Sequence, residues 1–181
     1  LPTRLLDWTY SPLVAAHFAT EDIDYYDRDG VIWCVNIEDV NANLPPSLRQ
    51  KLSEQRADIF TRDILEDVAH NFTSLQALSD QPFALFFEPA STVNRIANQY
   101  ALFSAVSDPA VTLLDLPESE CFVRLIISKK AKLEIRDKLD YINISERMIY
   151  PGLDGICRWI ARRYAPLGPR YNAEHAKEEQ P

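Results

Sequence analysis

The sequence predicts an α+β fold in which helices flank a mixed central sheet. Segments typical of strands and segments typical of helices alternate irregularly along the 181 residues. Several of the predicted strands follow short turns, and an all-parallel sheet needs longer crossover connections. The sequence contains no internal repeat. The predicted class is therefore α+β with a mixed sheet.

Apolar residues at helical spacing, together with capping residues, predict the helices. Ser11 followed by Pro12 marks a helix start, because a hydroxyl caps the first turn and proline suits the first helical position. The predicted helices are Pro12–Thr20, Pro46–Gln55, Thr61–Ala69 with Thr61 as its cap, a short one capped by Ser91 and Thr92 and ending at Gln99, Lys129–Leu139, and Leu153–Ala165.

Runs of β-branched and aromatic residues predict the strands. These are Thr3–Leu6, Val31–Ile37, Phe83–Phe87, Ala101–Val106, Val111–Leu116 and Phe122–Ser128. Polar and turn-forming stretches predict loops between them, at Glu21–Gly30, Asn41–Pro46 and Asn71–Pro82. Five basic residues of the Lys129–Leu139 helix alternate with acidic ones, which predicts a solvated helix face.

The charge balance excludes some classes of function. With 27 acidic against 19 basic residues, the net charge is −8. Phosphate binding depends on Lys and Arg, so a general nucleic-acid-binding protein is not expected, although a local basic pocket is compatible with this composition. The longest apolar runs are far too short to span a bilayer, so no membrane partner is expected.

The cysteine and histidine patterns point to a reducing environment without a metal site. The chain has three cysteines and three histidines, and no spacing among them is typical of metal ligands. An odd number of cysteines without close pairs is typical of free thiols, which predicts a cytoplasmic location. No metal cofactor is expected.

A dense polar and aromatic segment lies at the N-terminus of the sequence. Pro2–Ala19 reads PTRLLDWTYSPLVAAHFA and resembles the most recognisable segment of the FRG domain, a family named for an aromatic-Arg-Gly motif; Ala16 and His17 are the main departures. Arg95–Gln99 (RIANQ) and Ile144–Gly155 (ISERMIYPGLDG) resemble two later segments of that family. The resemblance implies that residues 1–166 form an FRG-like domain lacking its N-terminal part. Residues 167–181 are typical of a disordered tail.

The FRG resemblance implies a toxin-type effector in bacterial stress or phage defence. The strand end followed by a helix that begins Ser-Pro also resembles the core of ADP-ribosyltransferases. This second resemblance implies NAD as the cofactor and Glu146 as the catalytic carboxylate, which would stabilise positive charge as nicotinamide leaves. The acceptor is open: a protein, a nucleic acid or a small molecule.

The residues of the first segment each have a binding and a structural interpretation. Arg4 can face a phosphate through its planar guanidinium, or pair with Asp7 and hold a strand against a turn. Trp8 can stack on an adenine or nicotinamide ring, or pack in the core. Thr9 and Ser11 lie at a helix start that suits a pyrophosphate, although capping alone accounts for Ser11.

Two later positions complete the predicted cofactor-binding set. Arg95 and Gln99 are four residues apart and share a face of the predicted helix, where they can bind a base, a ribose or a target side chain, or act structurally. The alternative for Glu146 is a helix-capping or solvent-facing role. The predicted cofactor-binding residues are thus Arg4, Asp7, Trp8, Thr9, Ser11, Arg95 and Gln99, and the predicted catalytic residue is Glu146.

Three functions follow from these alternatives. The first is an NAD-consuming enzyme, in which Arg4, Ser11 and Glu146 share one cleft. The second is a nucleotide- or small-molecule-binding module that uses the same pocket without turnover. The third is an interaction domain of a larger assembly, completed by a missing N-terminal segment of the same or another chain. The third predicts an exposed apolar patch near Leu1.

Overall fold

A computed structural model describes residues 4–90, 93–116 and 120–165, and within them the predicted α+β class is confirmed. The strands are β1 (Leu5–Thr9), β2 (Gly30–Val35), β3 (Phe60–Thr61), β4 (Ala84–Glu88), β5 (Ala101–Val106) and β6 (Phe122–Ile127). The helices are α1 (Pro12–Thr20), α2 (Ile37–Ala42), α3 (Pro46–Gln55), α4 (Arg62–Glu66), α5 (Phe72–Gln76), α6 (Asn94–Asn98), α7 (Lys132–Tyr141), α8 (Glu146–Ile149) and α9 (Leu153–Tyr164).

The principal sheet is mixed, as predicted. Its strand order is β1-β5-β4-β3. β5 runs antiparallel to both β1 and β4, with Leu5 opposite Ala105, while β3 runs parallel to β4. A two-stranded sheet pairs β2 with β6. Among the described strands, β1 therefore lies at one edge of the four-stranded sheet.

The chain divides into two compact units. Unit 1 contains the described parts of Leu1–Tyr10, Trp33–Ile96 and Ala101–Val123. Unit 2 contains the described parts of Ser11–Ile32, Ala97–Tyr100 and Arg124–Pro181.

The core of unit 1 lies on both faces of the four-stranded sheet. Side chains alternate along β4, so Leu85 joins one apolar cluster while Ala84 and Phe86 join the other. Leu48 and Leu52, four residues apart on α3, bury the inner face of that helix in the first cluster. Alternation along the strand thus explains why FALFF is nearly continuous in apolar residues: both faces are covered.

In unit 2, helices pack directly on helices. α1 packs against α7, and α8 packs against α9. Gly155 permits the close approach of α9, because a methyl group at this position would overlap the carbonyl oxygens of Tyr150 and Glu146. The packing of α9 against α8 therefore depends on the absence of a side chain at Gly155.

Several predicted elements differ from the observed ones. The first strand is Leu5–Thr9 instead of Thr3–Leu6, because its bounds are set by pairing with β5. The predicted strand Val111–Leu116 is wrong: Thr112 and Asp115 form a reciprocal hydrogen-bonded cap around a 3₁₀ turn, Leu113–Asp115. The predicted loop Asn71–Pro82 contains α5, capped by Asn71.

Other differences concern element ends. The turn predicted at Asn41–Pro46 is wrong at its start, because α2, capped by Asn36, continues to Ala42. The predicted helix Thr61–Ala69 ends at Glu66, although Thr61 does cap it. The helix predicted at Lys129–Leu139 starts as a 3₁₀ turn and continues as α7. The predicted caps Ser91 and Thr92 and the predicted tail 167–181 lie outside the described residues.

Candidate functional site

The predicted binding residues Arg4, Asp7, Trp8 and Thr9 are distributed along a single strand of unit 1. Arg4 directly precedes β1, and Thr9 ends it. A strand rises about 3.4 Å per residue, so roughly 17 Å separate the Cα atoms of these two residues. A single phosphate group cannot therefore contact both ends of the strand.

Arg4 is half-buried and is held by neutral groups. Its Nη2 donates hydrogen bonds to the carbonyl oxygens of Val106, at 3.0 Å, and Ser107. Its guanidinium lies over the ring of Phe72, 4.4 Å from the ring centroid. Its Nε is buried without a hydrogen-bond acceptor, and none of the ion pairs among the described residues includes Arg4. The charge of this arginine is thus not neutralised by a carboxylate, and the alternative of a pair with Asp7 is not formed.

An apolar cavity lies beside Phe72, entirely within unit 1. Its volume is about 160 Å³, and Phe72 is one of its lining residues. The other apolar lining residues are Leu65 of α4, Ala69 after that helix, Leu75 of α5, Leu85 and Phe87 of β4, and Ala105 of β5. Sequence reasoning missed this cavity. The capping pattern of Asn71 and Ser74 was the available signal for α5, which forms part of its wall.

Trp8 and Thr9 are engaged in the sheet. Trp8 donates a hydrogen bond from Nε1 to Ser104 Oγ at 2.8 Å and packs edge-on against Phe86, with ring centroids 5.4 Å apart. Thr9 lies opposite Ala101 in the β1–β5 pairing. Asp7 is exposed. Of these residues Trp8 has a packing role in the structure, and ring stacking on a ligand stays a prediction.

Ser11 is the N-cap of α1, as predicted. Its Oγ accepts a hydrogen bond from the amide of Val14 at 3.3 Å, and Pro12 occupies the first turn. Helix N-termini attract anions because their first amides lack intrahelical acceptors. Here proline supplies no amide hydrogen and Ser11 already binds that of Val14. The N-terminus of α1 therefore has fewer amide hydrogens available to an anion than a helix that lacks Ser11 and Pro12.

Glu146 belongs to a group of charged side chains in unit 2, here called the charge cluster. Its members are His17, Glu21, Arg136, Asp140, Glu146 and Arg162. Arg162 donates from Nε to Glu146 Oε1 at 2.5 Å and from Nη2 to Glu146 Oε2 at 3.0 Å. Arg136 donates from Nη2 to Glu146 Oε1 at 3.0 Å. Both carboxylate oxygens of Glu146 are thus occupied by guanidinium groups.

Burial and these hydrogen bonds oppose each other at Glu146, whose exposed fraction is 4%. Burial raises the pKa of the carboxyl, but the hydrogen bond from Arg162 and the charge of Arg136 outweigh it, so the pKa is lowered from its ordinary value. Arg136, only 1% exposed, has its pKa lowered by burial despite the opposing charge of Glu146. The pair is therefore ionised and closed to solvent.

His17 joins the charge cluster from α1. Its Nδ1 lies 2.7 Å from Arg136 Nη1. Because a guanidinium can only donate, Nδ1 must accept, and the ring proton is carried by Nε2, which lies 3.2 Å from Glu21. Tyr150 donates its hydroxyl to the same carboxylate at 2.8 Å. Burial raises the pKa of Glu21, but the hydrogen bonds from His17 and Tyr150 lower it below the ordinary value.

The basic stretch of α7 is only partly a solvated face. Lys132 and Arg136, four residues apart, are buried, and Lys132 donates a hydrogen bond to the carbonyl of Tyr25 at 2.8 Å. The prediction of a solvated face is wrong for these two residues, because their cationic groups find acceptors within unit 2. Lys138, by contrast, is exposed beside Glu134.

Arg95 lies on α6, and Gln99 comes directly after it. Gln99 directly follows the helix and donates to the carbonyl of Ile149 at 3.2 Å, while Asn98 donates to that of Met148 at 2.7 Å. These two bonds hold the turn against α8, the helix that begins with Glu146. Arg95 is exposed on α6. A ligand-binding role for Arg95 and Gln99 stays a prediction.

The comparisons with known proteins concern the N-terminal segment, which contains Arg4, Trp8 and Ser11. Residues 1–28 match the model of the FRG domain family. The resemblance stated from the sequence is thereby confirmed for this segment, here called the FRG segment. It supplies β1, α1 and a 3₁₀ turn at Ile23–Tyr25, and its His17 and Glu21 belong to the charge cluster. His17, a departure from the family pattern, is fully buried.

The remaining comparisons found no match, either among curated proteins or among solved structures. Among the described residues, no helix is long and apolar enough to cross a membrane. Within the same ranges, no group of three or more His, Cys, Asp or Glu side chains is placed to hold a metal ion.

Proposed function

We propose that this chain is a ligand-binding module of the FRG type, which recognises the phosphate groups of a nucleotide such as NAD through Arg4. The observation that carries the proposal is the un-neutralised charge of Arg4. Backbone carbonyls fix this side chain at the end of β1, and no described carboxylate pairs with it. Nη2 is already engaged with both carbonyls, but Nη1 makes no hydrogen bond to the described residues and can donate to a phosphate oxygen.

The state of Glu146 supports binding without transfer of an ADP-ribosyl group. A carboxylate that stabilises developing charge must contact the reacting sugar. Glu146 instead has both oxygens bound by Arg136 and Arg162 and is almost fully buried. Transfer would require this carboxylate to leave both arginines, and separating a buried ion pair costs about 3–5 kcal/mol.

Titration calorimetry on the full chain tests the phosphate-binding step. NAD, ADP-ribose and ADP carry phosphates, whereas nicotinamide riboside has none. We expect the three phosphate ligands to bind and nicotinamide riboside not to bind. Arg4→Gln is expected to weaken binding about 10- to 100-fold, the equivalent of one charge-assisted hydrogen-bonded contact. Arg49→Gln, an exposed arginine of α3 in the same unit, is the matched control and keeps wild-type affinity.

A nicotinamide-release assay separates binding from transfer. The full chain is incubated with NAD in the presence of bacterial lysate as a source of acceptors, and we expect no release above the lysate control. Release that depends on the protein overturns the binding-only proposal and favours the ADP-ribosyltransferase hypothesis. Phosphate ligands that bind Arg4→Gln as well as wild type overturn the role of Arg4.

A further inference from the structure

The cavity beside Phe72 adds an apolar subsite to the phosphate site at Arg4. We propose that it receives a planar aromatic ring, so that the ligand class is an aromatic ring joined to an anionic group. This inference rests on the proposed function, since Arg4 is the anion-binding residue in both.

The size and lining of the cavity fit a single ring. Its volume is about 160 Å³. Enclosed apolar cavities of roughly 150 Å³ bind benzene-sized molecules, so this cavity, which is open to solvent on one side, has room for one ring. The floor consists of Leu85, Phe87 and Ala105 from β4 and β5, with Leu75 of α5 beside them. A ring placed there covers these apolar side chains, and the apolar surface that is removed from water favours binding.

Phe72 connects the cavity to the cation. Its ring lines the cavity, and the guanidinium of Arg4 lies 4.4 Å from the same ring's centroid. The attraction between a guanidinium and the face of an aromatic ring keeps the two together. The described residues accept hydrogen bonds from Nη2 of Arg4 but none from Nη1, so a negative group on the ligand would supply an acceptor for Nη1.

The polar residues of the wall restrict the ligand further. These are His70 and Asn71, both exposed. Asn71 already uses Oδ1 to accept the amide of Ser74 as the cap of α5. The wall therefore offers few hydrogen-bonding groups to the edge of a ring. A ring with few polar substituents is preferred over a sugar, whose hydroxyls would lose their water partners without replacement.

Three probes divide the ligand into its parts: phenyl phosphate, inorganic phosphate and phenol. Their affinities for the full chain are measured by ligand-observed NMR. We expect phenyl phosphate to bind at least tenfold more tightly than either fragment alone, because it occupies the cavity and contacts Arg4 together.

A cavity-filling variant locates the ring. Ala69→Leu places additional carbons in the cavity and is expected to lower the affinity for phenyl phosphate to that for inorganic phosphate, which itself stays unchanged. Ala42→Leu, at an exposed alanine of α2, is the control and keeps wild-type affinities. Thermal melts of both variants confirm folding. The wild-type comparison of the three probes needs no variant and stands even if Ala69→Leu fails to fold.

The outcomes separate this inference from the proposed function. Equal affinities for phenyl phosphate and inorganic phosphate, both lost in Arg4→Gln, overturn the ring subsite and leave anion binding at Arg4 intact. Phenyl phosphate binding that survives in Arg4→Gln but is lost in Ala69→Leu supports the cavity and overturns the anion site. If neither Arg4→Gln nor Ala69→Leu changes the binding of phenyl phosphate, both the ring subsite and the anion site are overturned.

Discussion

The two units each contain a partly or fully buried arginine, but only in unit 2 do described carboxylates neutralise it. In unit 2, Arg136 and Arg162 are matched by the carboxylates of Glu146 and Asp140, so the charges close on one another. In unit 1, the described residues that hold Arg4 supply only backbone carbonyls and an aromatic ring. A matched cluster stabilises its own unit, whereas an unmatched cation beside an apolar cavity is available to a ligand. The contrast predicts that the two regions respond differently to substitution.

Removing the central carboxylate of the charge cluster is expected to have the largest effect. Glu146→Gln leaves Arg136 buried without its closest anionic partner, and breaking a buried pair in this way costs about 3–5 kcal/mol of unfolding free energy. Urea denaturation measures the loss. Glu134→Gln is the control, because its ion pair with Lys138 is exposed to solvent and therefore contributes little to stability. Similar losses in both variants would show that the cluster is not a stabilising element.

The close packing of α8 and α9 around the cluster is expected to depend on Gly155. In Gly155→Ala the added methyl group overlaps the carbonyl oxygens of Tyr150 and Glu146, and overpacking of this kind costs up to about 3 kcal/mol. Thermal and urea denaturation report the change. Cys157→Ala, at an exposed position of the same helix, is the matched control and is expected to keep wild-type stability. A tolerated Gly155→Ala would mean that α9 can shift without opening the cluster.

Substitution of Arg4 is expected to cost less stability than substitution of Glu146. Arg4→Gln loses hydrogen bonds to two carbonyl oxygens but removes a charge that no described carboxylate pairs with, so we expect a loss of about 1–2 kcal/mol. The variant should stay folded while its affinity for phosphate ligands falls. Circular dichroism with urea titration checks the first point. A stability loss as large as that of Glu146→Gln would assign Arg4 a structural role and remove the contrast between the units.

Acid is expected to weaken the charge cluster. The pKa values of Glu146 and Glu21 are both lowered in the folded chain, from an ordinary value of 4.5. Their contribution to stability is therefore complete above about pH 4.5 and is lost as the pH falls through the lower folded-state values. Unfolding free energies measured from pH 7 to pH 3 should fall less in Glu146→Gln than in wild type. Parallel pH profiles for the two proteins would contradict this assignment.

Local sequence signals were enough to place most elements of the fold. Ser11 and Pro12 fixed the start of α1, and the helix Pro46–Gln55 and the strand Ala101–Val106 have the predicted bounds. These signals act over three or four residues, so they are visible in the sequence. The 3₁₀ turn at Leu113–Asp115 was missed because a hydrogen-bonded cap outweighed an apolar run that is typical of a strand.

The candidate site was less predictable. The importance of Arg4 follows from the absence of a described carboxylate beside it and from the ring of Phe72, which is 68 positions away in the sequence. The burial of Lys132 and Arg136 was missed because alternating charges on a helix are usually solvated. Neither the acceptors of these cations nor the cavity beside Phe72 leaves a local pattern.

The sequence by itself determined the α+β class, the capped helix that begins at Pro12, and the family resemblance that the FRG match confirms for residues 1–28. Each of these rests on neighbours in the chain. Only the tertiary structure decided which charges are matched, as in the contact between His17 and Arg136, 119 residues apart. The reason is physical: backbone propensities are local, whereas the environment of a charge is set by whichever distant segments fold around it.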